Sequence, residues 1–419
     1  MKILYVSQYY PPEMGAPAAR AAELAFHWAA TGHEPTVLTG FPNHPTGIVP
    51  PEWRGRLRRL LYRETIDGVR VLRTWLWPLP NRKAYERALN YSSFCASSAV
   101  AGMGVARPDV VIGTSPQLLV GLSAWWIARQ KRVPFVFEVR DLWPESLVAV
   151  GLGDSDSLLH RLLGRIAGFL YRHCDQIVVV TPAFKDHLVR YWMIDPEKIS
   201  IVENGVETDL FEPNDRVNLK RAELGADQKF LVCYIGTLGW AHGLDTLIEA
   251  AAQLQVQEPM VQFLLVGEGA DKARIQELAR QRDLTNITFL GQQPRERIPE
   301  FICASDACLV LLRKTDVFKT VIPTKMLEFM SCARPLILAV DGQARSIMEN
   351  AQAGIYIEPE NPGALADAIL QLSAYRELSE RLGRNGRNYI VENFSRKKTA
   401  DVYLEVLKQV CSVSSQKVR

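Results

Sequence analysis

The sequence predicts two α/β domains, each built on a mostly parallel sheet buried on both faces, with a cleft between them. Three observations lead there. Two separate series of near-continuous apolar, β-branched runs alternate with helical stretches, the pattern of strands covered by helices on both sides. Each series opens with a strand that ends in a glycine-containing turn before a helix, a layout that suits phosphate groups. A length of 419 residues, with 47% hydrophobic and 23% charged content, favours two globular domains over one.

The first series starts at once, with the strand Lys2 to Ser7, the turn Tyr9 to Gly15 and a helix from Ala18 to Ala30. Gly15 permits close approach of backbone to a ligand. The turn lacks GxGxxG, which disfavours a plain dinucleotide site. Arg20 on the following helix reads equally as a ligand contact or as a solvated charge. Further strands are expected at Pro35–Thr39, Val69–Leu72, Asp109–Ile112, Pro134–Val139 and Gln176–Val180. The longest apolar stretch, Leu118 to Ala128, lies between Pro116 and Arg129 and is too short for a membrane span. It reads as a core helix.

Three features of this half carry charge in a telling place. Trp53 to Arg63 holds five arginines, among them Arg54, Arg56, Arg58 and Arg59, interleaved with Trp53, Leu57, Leu60, Leu61 and Tyr62. Such a segment fits an anionic membrane surface or a solvated face over a small apolar patch. Arg140 and Asp141 end a buried strand, where unpaired charge is costly, so they are either an ion pair or site residues. Asp154-Ser-Asp156 has the look of a metal-binding DxD, but it precedes an amphipathic helix, where capping is the simpler role. No metal is expected.

Asn204-Gly205 is a strong turn signal, and a polar segment to about Asp227 follows it. The domains are therefore placed at 1–205 and 206–395, with a last helix, 396–411, crossing back onto the first. The second series runs through Phe230–Ile235, Val261–Val266, Asn286–Phe289, Ala307–Leu312, Leu336–Leu338 and Gly354–Ile357. Its first turn holds Gly236, Gly239, His242 and Gly243, and its second Gly267 and Glu268. The first suits close approach to a diphosphate. The second ends its strand at the same sheet edge, and the nucleobase is placed near it and near Pro294, Arg295 and Glu296. The stretch Arg313–Pro335 supplies the rest. Pro323 suits a helix start, and Thr324, Lys325 and Glu328 then fall on one side of that helix. A hydroxyl, an ammonium and free N–H groups stand at its positive end, and a carboxylate one turn on can accept from ribose hydroxyls.

Charge and cysteine usage set the context. Residues 1–200 carry 23 Lys/Arg against 17 Asp/Glu and the remainder 26 against 29, a hint of an anionic partner for the first half. Nothing points to nucleic acid. The seven cysteines are scattered without a CxxC, which argues for reduced thiols in the cytosol and against zinc. The N-terminus shows no signal-peptide layout.

With these residues in place, the chain resembles the retaining family-4 glycosyltransferases of GT-B fold, in particular the bacterial surface-polysaccharide enzymes of fucosamine-transferase and colanic-acid type. The resemblance covers nearly the whole chain. It implies a cytosolic-face enzyme, peripheral on the inner side of the plasma membrane. It would move a sugar, an N-acetylamino sugar among the candidates, from a UDP-sugar to a polyprenyl-diphosphate-linked saccharide, with retention, no metal and no cofactor. Glu328 matches the second of the family's two donor-site glutamates, while Thr320 stands at the first. Thr237 and His242 occupy positions where the family usually has an arginine and a lysine, and Arg140 one where it often has histidine. Asp141 keeps the match. In the family's frame Gly15 and Arg20 reach the donor, and Lys325 replaces the missing cations. Asp141, Arg140 and Lys325 are the groups nearest the chemistry. A UDP-sugar 2-epimerase on the same scaffold, and a binding protein without activity, are the alternatives.

Overall fold

The expected apolar runs do become strands, in two sheets. The computed structural model describes the chain apart from Met14, Pro45, Arg82, 146–156, 215–218 and 418–419, and the side chains of 415–417. Asp154 and Asp156 therefore lie outside the described residues. Two units emerge, Met1–Asn204 with Arg396–Arg419, and Gly205–Ser395.

The sheet of the first unit comprises β1 (Lys2–Val6), β2 (Glu34–Gly40), β3 (Leu61–Ile66), β4 (Val69–Thr74), β5 (Val110–Thr114), β6 (Phe135–Val139), β7 (Gln176–Val179) and β8 (Ile199–Ile201), in the order β3-β4-β2-β1-β5-β6-β7-β8. Every residue of β5 and β6 is buried, which is why their sequences are mostly apolar without alternation, with Glu138 the one charged residue among them. The order changes direction between β1 and β5, so ligands are expected outside the carboxyl ends of those two strands. The helix Arg396–Lys417 joins this unit's core. Tyr403, Leu404 and Leu407 pack with Tyr5 and Trp28, and the Trp28 indole donates to the Ala400 carbonyl at 3.2 Å.

One element departs from the expectation. Trp53–Arg63 is not a single basic segment but a short helix, Pro51–Leu57, followed by the first residues of β3. That strand pairs antiparallel with β4, Ile66 opposite Val69. The intervening Asp67 and Gly68 both have positive φ, 48° and 79°, the backbone of a two-residue hairpin turn that Asp-Gly favours. Trp53 packs against Phe41 and Val49 in a small cluster, with the Arg56 and Arg73 guanidiniums 4.6 and 4.7 Å from its ring centroid. It is not available as an interfacial aromatic.

The second unit's sheet is wholly parallel. It comprises β9 (Phe230–Ile235), β10 (Val261–Val266), β11 (Ile287–Leu290), β12 (Ala307–Leu311), β13 (Leu336–Ala339) and β14 (Gly354–Tyr356), ordered β11-β10-β9-β12-β13-β14. Its direction changes between β9 and β12. The loops that leave those two strands, 236–244 and 312–323, are the ones the sequence marked. Cys174, Cys233, Cys303, Cys308 and Cys332 are all buried and free.

Candidate functional site

In the second unit the glycine loop and the helix Thr324–Ser331 meet around one ammonium group. Pro323 stands just before the helix rather than inside its first turn, and no side chain caps the start. Met326, Leu327, Phe329 and Met330 are fully buried, which fixes the helix rotation and leaves Thr324, Lys325 and Glu328 on the other side. Lys325 does not extend into solvent with its neighbours. Its Nζ is buried without a hydrogen-bond partner and lies 4.1 Å from the Tyr234 ring centroid, a favourable place for a cation. The Tyr234 hydroxyl donates to the Thr237 carbonyl at 2.8 Å, so the same tyrosine shapes the loop and floors the ammonium.

Gly236 makes room for this group. A Cβ at that position would lie 2.9 Å from the Lys325 Nζ, and its φ of 141° is disfavoured for other residues. Gly267, at φ 148°, is under the same constraint, because its Cβ would fall 2.0 Å from the Gly236 carbonyl. The loops after β9 and β10 thus continue backbone against backbone beyond the sheet, joined by Leu238 N–H to the Glu268 carbonyl at 2.9 Å. Gly239 and Gly243 flank the short turn Trp240–His242.

Burial pushes the Lys325 ammonium down to about 7, with the Glu328 carboxylate opposing. It also drives His242 down to about 3, helped by Lys325. The His242 Nδ1 lies 3.3 Å from the Leu311 carbonyl. A carbonyl only accepts, so Nδ1 carries the proton and Nε2 a lone pair. His242 is therefore neutral at physiological pH and adds no positive charge to the loop. Ala241, His242, Phe318, Pro323, Thr324 and Lys325 line a cavity of about 310 Å³, a size within the range of small-ligand sites.

Glu328 stands one turn further on, paired with Arg295 at 2.9 Å. The Arg295 guanidinium rests 5.1 Å from the Phe211 ring centroid. Glu268 is half-exposed and bridged to Lys272 at 2.6 Å. Thr320, at the position of the absent glutamate, donates its hydroxyl to the Val317 carbonyl at 2.7 Å. The sequence reading missed Tyr234 and the Arg295–Glu328 pair. A tyrosine inside a buried strand gave no signal, and Arg295 had been placed only near the nucleobase.

The first unit gathers the other candidates, with one correction. Arg20 is neither in solvent nor free to hold a ligand. It is 1% exposed, and all five of its donors are engaged. Nε and Nη2 bond Glu138 at 3.0 and 2.9 Å, Nη2 also bonds the Val202 carbonyl, and Nη1 bonds the Glu203 carbonyl and Asn204 Oδ1. It ties the loop after β8 to the end of β6. Gly15 precedes the helix Ala16–Ala30, and Arg140 reaches back to that helix start, 3.2 Å from the Ala16 carbonyl and 3.4 Å from that of Pro17. Arg140 and Asp141 are both half-buried and make no ion pair with each other. Their backbone N–H groups share the Ser115 hydroxyl instead. Burial raises the Asp141 carboxyl to about 6 against the opposing Arg140 charge. Arg54, Arg56, Arg58 and Arg59 are exposed.

Two family models match this chain. Residues 215–389 match the glycosyl transferases group 1 and residues 15–205 the glycosyl transferase 4-like domain. WcaI of Escherichia coli, named for colanic acid biosynthesis as a glycosyl transferase, is 25% identical over 384 residues, 88% of this chain and 92% of its own. The D-inositol 3-phosphate glycosyltransferase of Segniliparus rotundus is 29% identical over 358 residues, 84% of this chain and 76% of its own. Among solved structures, HepE of Anabaena in complex with UDP superposes with a TM-score of 0.73 at 17% identity, over 98% of this chain and 100% of that one.

Proposed function

The chain belongs to the group 1, family-4-like glycosyltransferases of GT-B fold, and on that premise we propose that it moves a sugar from a UDP-sugar to a lipid-linked saccharide in the assembly of bacterial surface polysaccharide. The observation that carries this reading is the buried, unpartnered Lys325 ammonium at a helix start, on a cavity wall, with a carboxylate one turn away. A diphosphate satisfies the first and the helix amides, and vicinal ribose hydroxyls satisfy the second. UDP in HepE and the polysaccharide name of WcaI support the substrate class. An N-acetylamino sugar is the donor sugar we favour.

In this reading the diphosphate rests on Gly236, Gly239, Gly243, Thr324 and Lys325, and the nucleoside on Gly267, Glu268 and Glu328. The reaction proceeds with retention. The diphosphate leaves from the face the acceptor attacks, and Lys325 with the loop N–H groups stabilises its developing charge. No separate nucleophile is needed, so Thr320 in place of a glutamate is compatible with activity. The first unit serves the acceptor, with Asp141 and Arg140 beside the Gly15 turn. Labelled UDP-sugars incubated with a bacterial membrane lipid extract test the reading. Label on lipid supports it; an interconverted sugar selects an epimerase, and no change selects a binding protein. Transfer is expected to survive excess EDTA, and loss restored by magnesium or manganese would remove metal independence from the proposal.

Glu328→Gln is expected to weaken UDP binding about tenfold or more, because hydrogen bonds to a charged partner contribute about 1.5–3 kcal/mol. Calorimetric titration reads this directly. Unchanged affinity, with an unchanged circular dichroism spectrum, would take Glu328 out of the site.

Among the described residues no helix is long and apolar enough to cross a membrane. We place the protein at the inner face of the plasma membrane through Arg54, Arg56, Arg58 and Arg59, which are exposed and precede the exposed Leu60. Each cation near an anionic surface contributes about 1 kcal/mol. Replacing the four with glutamine should release the protein from anionic vesicles, and binding of the parent should weaken as salt rises. Equal sedimentation of the two proteins would make this face an ordinary solvated one.

A further inference from the structure

The glycine loop carries one large side chain that neither the core nor the donor cavity uses. Trp240 is 52% exposed, although an aromatic ring of that size gains much from burial. It is nevertheless held firmly. Arg313 donates its backbone N–H to the Ala241 carbonyl at 2.9 Å and its Nε to the Trp240 carbonyl at 2.8 Å. The Arg313 guanidinium carbon lies 4.6 Å from the indole centroid, so one face of the ring is backed by a cation. Glu360 and Asp245 fix that guanidinium at 2.9 and 3.4 Å, and Arg274 bridges Asp245 at 2.6 Å. Ala241 and His242, the next two residues, line the cavity, and Trp240 stands outside it.

We propose that Trp240 is the plate of a saccharide subsite, on which one pyranose ring of the acceptor stacks beside the donor cavity. The proposal rests on the donor-site reading given above. A pyranose has an apolar C–H face and a rim of hydroxyls. The indole covers the face, and the half-exposed Asp245, Glu360 and Arg274 around its Arg313 backing offer acceptors and donors to the rim. An acyl chain would use the plate but would desolvate the same charges without pairing them. A second copy of the chain would need a broader apolar area than one ring. The donor's own sugar is tethered through its diphosphate to the cavity that Trp240 does not line.

Incorporation of 5-fluorotryptophan tests this by fluorine NMR. The chain has nine tryptophans, and Trp240→Phe identifies the relevant resonance by its disappearance. With UDP bound, methyl glucopyranosides, N-acetylglucosamine and maltose at high concentration should shift the Trp240 signal. UDP alone and glycerol should leave it in place. In the lipid-extract assay Trp240→Ala should raise the acceptor KM about tenfold and leave the calorimetric UDP affinity unchanged. A Trp240 signal that no pyranose moves overturns the proposal, as does one that hexanol moves as strongly. Failure of UDP to bind in the separate titration would instead sink the donor-site reading, whatever the Trp240 signal does.

Discussion

Replacing Arg20 with methionine is expected to destabilise the first unit by about 3–5 kcal/mol, the usual consequence of removing one partner of a buried ion pair. The pair itself is fully enclosed, with side chains 1% and 0% exposed. Methionine keeps the unbranched stem and leaves Glu138 with the Tyr5 hydroxyl, which donates to it at 2.7 Å, and no guanidinium in Arg20's place. The carbonyls of Val202 and Glu203 lose a donor in the same step. Burial alone would raise the Glu138 carboxyl, yet the Arg20 and Arg140 guanidiniums outweigh it and hold the group below the usual carboxylate range. Because the folded value is depressed, this contribution is present above the unfolded carboxylate value and is lost as pH falls through the folded one. The gap between parent and variant should therefore narrow in acid. Denaturant unfolding at neutral and acid pH measures it. Arg20→Lys should recover little, since three donors on one nitrogen cannot replace five hydrogen bonds to four acceptor atoms arranged for a fork. A variant within about 1 kcal/mol of the parent at neutral pH would show that the pair is dispensable.

That pair also marks the boundary of what the sequence could say. Strands buried on both faces announce themselves, because nearly every position from Phe230 to Ile235 and from Val261 to Val266 is apolar, the part-buried Gln262 excepted, and both spans were read to the residue. The edge strand β3 was lost because none of its positions is fully buried and it carries Arg63, Glu64 and Thr65 amid its apolar residues, while the Asp67-Gly68 turn that betrays it went unread. On a helix, Arg20 is only a charge at a position that either face could own. Glu138, the residue that claims it, comes 118 positions later. The proposed donor-site residues were legible as a set because Thr324, Lys325 and Glu328 are local to one helix. Their states were not. The Lys325 ammonium is desolvated by Tyr234 and the Gly236 loop from another strand, and Glu328 is held by Arg295 from a third segment. Sequence spacing gives the side of a helix, and the chemistry of a group depends on what that side meets.

The state of Lys325 leads to the second large expected effect. In the free protein the ammonium loses its proton near pH 7, because burial strips its hydration and no acceptor replaces it. A bound diphosphate supplies that acceptor and raises the value, so binding above pH 7 takes up a proton. The sign follows. Below about 7 the group is already charged and affinity for UDP is insensitive to it; above, affinity falls by up to about tenfold per pH unit until the bound-state value is passed. Titration calorimetry at pH 8 in buffers of different ionisation enthalpy should show uptake approaching one proton. Lys325→Met should bind UDP about tenfold to a hundredfold more weakly at neutral pH, the range for a lost charged hydrogen bond, and should show no uptake. Lys325→Arg keeps a permanent charge, so it too should lose the pH dependence while retaining part of the affinity. His242 stays neutral across this window and cannot mimic the effect. A parent protein whose UDP affinity is flat between pH 7 and 9 would place Lys325 outside the diphosphate's reach.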